Sequence, residues 1–177
     1  MNRTPVPQQW GTSYEAWIER SQDALHARDW STAFKEYPWL NFSDSPLTPL
    51  RRSLSDSRIA LISSGGISVG DQNPFDAEDP LGDHSFRVVA AEGPLRSWRV
   101  DHAHYDVGPP RVDYNTVFPL DALSALAAQG VIGAIAPEHY TFMGYQPDPR
   151  PFYEMSAPSI VEGLAQHQVD GVLLVPG

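Results

Sequence analysis

The chain has 177 residues, with 17 prolines, 13 glycines and no cysteine. That length suffices for one domain plus an extension, with a core that removes roughly two thirds of the unfolded surface from water. The missing thiols exclude a disulfide framework, a thiolate metal site and a Cys nucleophile among these residues, and a net charge of −10 disfavours nucleic acid or an anionic membrane as partner, because both demand clustered cations.

Taken in chain order, residues 1–7 (Met-Asn-Arg-Thr-Pro-Val-Pro) lack the apolar stretch of a secretory leader. No later apolar run approaches the roughly 18 residues that cross a bilayer, so the expectation is a soluble, cytoplasmic protein. Residues 1–57 form an aromatic-rich extension holding Trp10, Tyr14, Trp17, Trp30, Phe34, Tyr37, Trp39 and Phe42. Tyr14, Trp17, Ile18 and Leu25 recur at helical intervals, which predicts an amphipathic helix over residues 13–28 with Ser13 as N-cap. Such a stripe reads as a face docked on a core or on another subunit. Pro38, Pro46 and Pro49 then predict an irregular connector.

From Arg58 onward, residues 58–177 change texture. Ile59-Ala60-Leu61-Ile62-Ser63 reads as a buried strand ending at the Gly65-Gly66 turn, and Phe86-Arg87-Val88-Val89 as a second strand after an acidic loop. A helix over residues 120–129 closes at Gly130, and Val131-Ile132-Gly133-Ala134-Ile135 follows as a strand. Pro158 opens another helix carrying Ile160, Val161, Leu164 and Ala165, which leads into Val172-Leu173-Leu174-Val175. Alternation of this kind predicts an α/β fold: a three-layer, mostly parallel sheet with crossover helices behind an N-terminal helical extension.

In such sheets ligands bind beyond the carboxyl ends of the strands, and the sequence places ionisable and glycine-rich loops there. Ser63, Ser64, Gly65 and Gly66 follow a strand and could offer backbone N–H groups to a carboxylate or phosphate, or could be a purely conformational turn. In Asp101-His102-Ala103-His104-Tyr105-Asp106, an extended backbone would project His102, His104 and Asp106 to one face. They could there act as acid, base and orienting groups or ligate a divalent metal, or simply be hydrogen-bonded structural residues. The stretch Pro137-Glu138-His139-Tyr140-Thr141-Phe142-Met143-Gly144-Tyr145 is aromatic, ionisable and glycine-bearing, which suits a pocket wall, although its aromatics could equally serve packing.

Several of these stretches, in this order, resemble the family of glycine, sarcosine and betaine reductase selenoprotein B and the related D-proline reductase subunit. They are Arg58-Ile59-Ala60-Leu61-Ile62-Ser63-Ser64-Gly65-Gly66-Ile67, Asp71-Gln72-Asn73-Pro74-Phe75-Asp76, Gly82-Asp83-His84-Ser85-Phe86-Arg87, His102-Ala103-His104-Tyr105-Asp106, Asp113-Tyr114-Asn115-Thr116-Val117-Phe118-Pro119-Leu120-Asp121 and the run from Ile132 to Tyr145. The resemblance covers residues 58–177. It implies a selenocysteine or cysteine in the turn after the last strand, so that the chain stops just short of its nucleophile and lacks the C-terminal part of its domain.

It also implies reductive cleavage of a C–N or similar bond in a small amino-acid-like substrate. Within that reading His102, His104, Asp106 and His139 are the catalytic candidates. Ser63, Ser64, Gly65, Gly66, Tyr140 and Met143 are the substrate-binding ones, no cofactor is held by the chain itself, and a thiol reductant or redox protein and a homo- or hetero-oligomeric assembly complete the system. Two other readings stand beside it: a metal-dependent hydrolase or lyase built on His102, His104 and Asp106, and a noncatalytic partner subunit that docks through its aromatic segment.

Overall fold

The computed structural model describes residues 8–42, 48–92 and 95–177, so the readings made above on residues 1–7 and on Pro46 lie outside it. The chain divides into two compact units, Met1–Thr48 and Pro49–Gly177.

In the first unit, helix α1 (Gln8–His26) starts upstream of the expected cap. Ser13 is therefore inside the helix, where its hydroxyl donates back to the Gln9 carbonyl (3.2 Å). Trp10, Tyr14, Trp17, Ser21 and Leu25 recur every three or four residues and are the buried positions of α1. The short helix α2 (Trp30–Ala33) is capped by Asp29, whose carboxylate accepts the Thr32 N–H (3.2 Å). The aromatics close on one another: Trp10 stacks on Tyr14 (5.1 Å between centroids), and Trp17 meets Tyr37 edge-on (4.9 Å). The fully buried Trp17 donates its indole N–H to the Ala33 carbonyl (2.8 Å), so this unit builds a core of its own.

The second unit is built around β1 (Arg58–Ser63). Its further elements are β2 (Ile67–Val69), β3 (Phe86–Ala90), β4 (Trp98–Val100), α3 (Gly108–Val112), α4 (Leu120–Ala128), β5 (Ala134–Ile135), β6 (Glu138–Phe142), α5 (Ala157–Gln166) and β7 (Gly171–Val175). Strand β7 runs parallel to β1 along its whole length, from Ile59↔Gly171 to Ser63↔Val175. A strand has two edges, so β5 and β6 share the other one, both parallel to β1; β3 then adds antiparallel to β6. The sheet is mostly parallel, as its sequence rhythm predicts. Strands β2 and β4 form a separate antiparallel pair that sequence periodicity did not reveal, since each has only three residues.

Side chains alternate across β1. Ile59 and Leu61 join the main core with Val89, Phe118 and, from α4, Leu120 and Leu123. Ile62 is in register with Tyr140, and that opposite face is covered by α5: a Cβ at Gly163 would run into the Tyr140 hydroxyl. A helix on each face makes the three layers.

One expected loop is a strand. Residues 138–142 form β6, and the predicted strand over 131–135 shrinks to the two residues of β5. The cause lies between them. Going from Ile59↔Ile135 to Ile62↔Tyr140, β1 advances by fewer residues than its partner, which bulges at Ala136 and Pro137. The bulge would orphan the Leu61 N–H inside the sheet, and the His139 imidazole fills the gap by accepting that N–H at Nδ1 (2.9 Å).

Candidate functional site

At the carboxyl edge of the sheet the exits of β1, β6 and β7 meet, and Ser64 joins all three. Its N–H donates to the Val175 carbonyl (3.0 Å), its carbonyl accepts from Gly144 N–H (2.9 Å), and its hydroxyl accepts from Gly177 N–H (2.9 Å). Gly65 and Gly177 approach backbone to backbone: a Cβ on Gly177 would stand 2.6 Å from the Gly65 Cα. No larger side chain fits that contact.

The loop's N–H groups are already committed. Gly65 N–H donates to Ser63 Oγ (3.0 Å), Gly66 N–H to the Phe142 carbonyl (2.9 Å) and Ile67 N–H to Thr141 Oγ1 (3.1 Å). Ser63 in turn donates to the Val117 carbonyl (2.6 Å). Of the two roles the sequence leaves open for Ser63, Ser64, Gly65 and Gly66, this geometry has the conformational turn. An anion cradle would need N–H groups that point outward.

Val117 is fixed by the Asp113–Asp121 stretch. Asp113 accepts both the backbone and the side-chain N–H of Asn115 (2.9 and 3.0 Å), Asn115 Oδ1 accepts the Asp121 N–H (3.1 Å), and the Tyr114 hydroxyl donates to Asp121 (2.5 Å). Asn115 thereby satisfies an N-terminal N–H of α4, which has no side-chain cap of its own. A Cβ on Gly65 would lie 2.9 Å from the Val117 Cβ, so the network reaches the glycine turn through one residue.

The histidine segment lies against the same turn. Asp101 N–H donates to the Gly66 carbonyl (3.0 Å), and the Tyr105 hydroxyl donates to the Gly65 carbonyl (2.6 Å). Burial pushes the Tyr105 phenol up to about 12, against a smaller opposing pull from Arg111, so it stays a donor. The backbone bends instead of running extended, because His102 Nδ1 accepts the His104 N–H (3.1 Å). That bond also sets the tautomer of His102, with its proton on Nε2, a buried atom without a hydrogen-bond partner, as is Asp101 Oδ2. Burial, and then the neighbouring His104, lower the His102 pKa to about 4. His104 is exposed, stacks on Tyr145 (3.8 Å between centroids) and is shifted downward by partial burial.

Asp106 is elsewhere engaged, its carboxylate accepting the Gly108 N–H (2.9 Å) at the start of α3. His102 and His104 meet edge to face (6.2 Å between centroids), but among the described residues no three His, Cys, Asp or Glu side chains converge as a cation site. His139, Tyr140 and Met143 are buried: His139 faces Phe118 in the core, Tyr140 faces α5, and Met143 bridges Gly65.

Tyr145 is a residue that sequence reasoning underrated. Its hydroxyl donates to the Pro80 carbonyl (2.8 Å), and Gly82, in the left-handed region at φ +80°, leaves no room beneath the Tyr145 carbonyl. The acidic loop behind it is braced by Asp83, which accepts Ser85 and Asp76 N–H groups (2.8 and 3.0 Å) and the Ser85 hydroxyl. Burial alone would raise the Asp83 pKa, but these donors and Arg87 outweigh it and hold the carboxyl below its ordinary value. Arg87 also lies over the Phe75 ring (4.1 Å) and donates to Asn73 and Pro74 carbonyls.

A cavity of about 630 Å³ opens at the opposite, amino end of the sheet, between Arg52, Asp56, Arg58, Gly133, Gln168 and Asp170. None of the candidate site residues named from the sequence lines it. Its arginines are engaged: Arg58 donates to the His167 carbonyl (2.6 Å) and Arg52 stands 3.9 Å from Asp170. We place the site at the carboxyl edge, where ionisable and close-packed backbone groups converge.

Comparison with known proteins identifies the family. The model of the family described as glycine/sarcosine/betaine reductase selenoprotein B matches residues 18–176. The chain belongs to this family. It is 35% identical over 130 residues to the D-proline reductase subunit gamma of Acetoanaerobium sticklandii, a match covering 73% of this chain and 52% of that subunit. It is also 31% identical over 151 residues to the glycine reductase complex component B subunit gamma of Symbiobacterium thermophilum, and 32% over 137 residues to that of Carboxydothermus hydrogenoformans. Those two matches take in 78% and 73% of this chain but 33% and 31% of the relatives. The chain thus spans at most about half the length of these relatives, all of which are subunits of reductase systems. No solved structure matches it.

Proposed function

We propose that this chain contributes the nucleophile-positioning half of a selenium- or thiol-dependent reductase subunit. The reaction is reductive cleavage of a C–N or similar bond in a small amino-acid-like substrate, with a selenocysteine or cysteine immediately beyond Gly177. The observation that supports this best is the seat around Gly177, where three strand exits and a close glycine pair fix the turn that would carry the reactive residue.

A selenolate or low-pKa thiolate supplies a soft nucleophile there, and a thiol reductant returns it to the reduced state. Residues of this chain would do the rest. Tyr105 holds the Gly65 carbonyl and the turn, His102 remains neutral and rigid at pH 7, and His104, exposed and oriented by Tyr145, exchanges a proton with the departing amine. Asp106 keeps the segment in place through α3. The relatives' naming as subunits supports a hetero-oligomer as the working form.

The test is turnover in the assembled protein carrying the residue after Gly177, with a dithiol as reductant and D-proline, glycine, sarcosine and betaine as trial substrates. His104→Ala is expected to lower kcat by roughly 10²-fold or more, the usual contribution of a proton-transferring side chain. Unchanged turnover in that variant, or no reduction of any of the four by the parent, would contradict the proposal.

A further inference from the structure

The hydrogen bonds of the serine turn run inward. Ser63 uses its hydroxyl on Val117 and Gly65, which belong to the same loop and its support. Ser64 differs. Its hydroxyl reaches across to the Gly177 N–H, at a sequence separation of 113 residues, while its own backbone N–H and carbonyl pair with Val175 and with Gly144. The Pro176-Gly177 turn is therefore held by one side-chain acceptor and by one glycine contact, since Pro176 has no N–H to donate. Gly144 shares in this geometry: a Cβ there would crowd Ser64 Cβ and Oγ, both at 3.1 Å. A hydroxyl bonded to a strand's exit peptide fixes the direction in which the chain leaves the sheet, because the donor's peptide plane must face the acceptor.

We infer that Ser64 is a positioning residue: by accepting the Gly177 N–H it orients the peptide that follows Gly177 against the Gly65 turn. This assignment rests on the proposed function for its consequence in turnover, but not for its geometry. Removing the hydroxyl leaves the three strand exits paired through backbone bonds and frees one N–H only.

Two measurements test it. Solvent exchange of backbone amides, read by NMR in the 177-residue chain, is expected to accelerate about tenfold or more at Gly177 in Ser64→Ala and to stay within about twofold at Ser64 and Gly144. In Ser64→Thr, which keeps the hydroxyl, Gly177 is expected to exchange as in the parent. Gly177→Ala, whose added carbon collides with Gly65 Cα, is expected to loosen the same turn and gives an independent reading should Ser64→Ala fold poorly. An unchanged Gly177 rate in Ser64→Ala, or equal acceleration at all three amides, would overturn the inference. In the assembled protein, Ser64→Ala is expected to lower kcat at least tenfold with KM within about twofold, and Ser64→Thr to restore it. Normal kcat in Ser64→Ala would overturn the positioning role. A parent without reductase activity would instead sink the proposed function, leaving the exchange result to decide the geometry.

Discussion

At the scale of single residues, the histidines divide by environment. His139 has no exposure and serves as the acceptor that closes the β1–β6 bulge, and its pKa falls to about 4 through burial. The unfolded chain binds that proton near pH 6.5 and the folded one only near 4, so between these values the unfolded state holds more protons and stability rises with pH. The protein is thus expected to lose stability as pH drops from about 6.5 towards 4, with His139 alone contributing on the order of 3 kcal/mol at full development. Denaturant midpoints across that range check it, and a flat profile would contradict it. His139→Leu removes the acceptor and is expected to cost roughly 1–3 kcal/mol near pH 7, from the orphaned Leu61 N–H, while flattening the acid limb. His139 was legible as a histidine at a strand exit but not as a ladder substitute, because the bulge that requires it is a matter of register between distant segments.

At the scale of elements, long periodic patterns were readable and short ones were not. Strand β1, helices α4 and α5 and strand β7 carry runs of apolar residues bounded by Gly or Pro, and the structure has them close to where the pattern predicts. Strands β2 and β4 are too short to show a period, and β6 was hidden by its mixed polar and aromatic composition: Glu138, His139, Tyr140 and Thr141 alternate between two buried faces. In the N-terminal unit the aromatic spacing revealed helix α1, but not that its stripe folds onto α2 and Tyr37 within the same unit. Trp17→Ala is expected to destabilise this unit by about 3–5 kcal/mol, combining lost burial with an unpaired Ala33 carbonyl. Tryptophan fluorescence during unfolding is the suitable probe, since four of the five tryptophans, Trp10, Trp17, Trp30 and Trp39, lie in it. An unmoved midpoint would contradict the packing described here.

At the scale of the whole molecule, the motifs that carry the family resemblance are chiefly braces. The Asp113–Asp121 network holds Val117 beneath the glycine turn, the Asp83 and Arg87 network supports Tyr145, and Tyr145 stacks on His104. Their common destination is the carboxyl edge at Gly65 and Gly177. The sequence put its candidates at that edge from the alternation of strands and helices and from loop chemistry; it could not distinguish a ligand cradle from a seat, because the difference lies in where N–H groups point. Among the described residues β7 pairs on one side only, with Val172, Leu173 and Leu174 exposed, and the matches to the family's relatives take in 52%, 33% and 31% of those subunits.

The most direct measurement is the intact mass and selenium content of the polypeptide isolated from its own host, together with its dithiol-dependent reduction of the four trial substrates. The account predicts a polypeptide heavier than 19.6 kDa that carries selenocysteine or cysteine directly after Gly177 and is active only with that residue in place. A 19.6 kDa polypeptide that ends at Gly177 and catalyses the reductive cleavage unaided would contradict it.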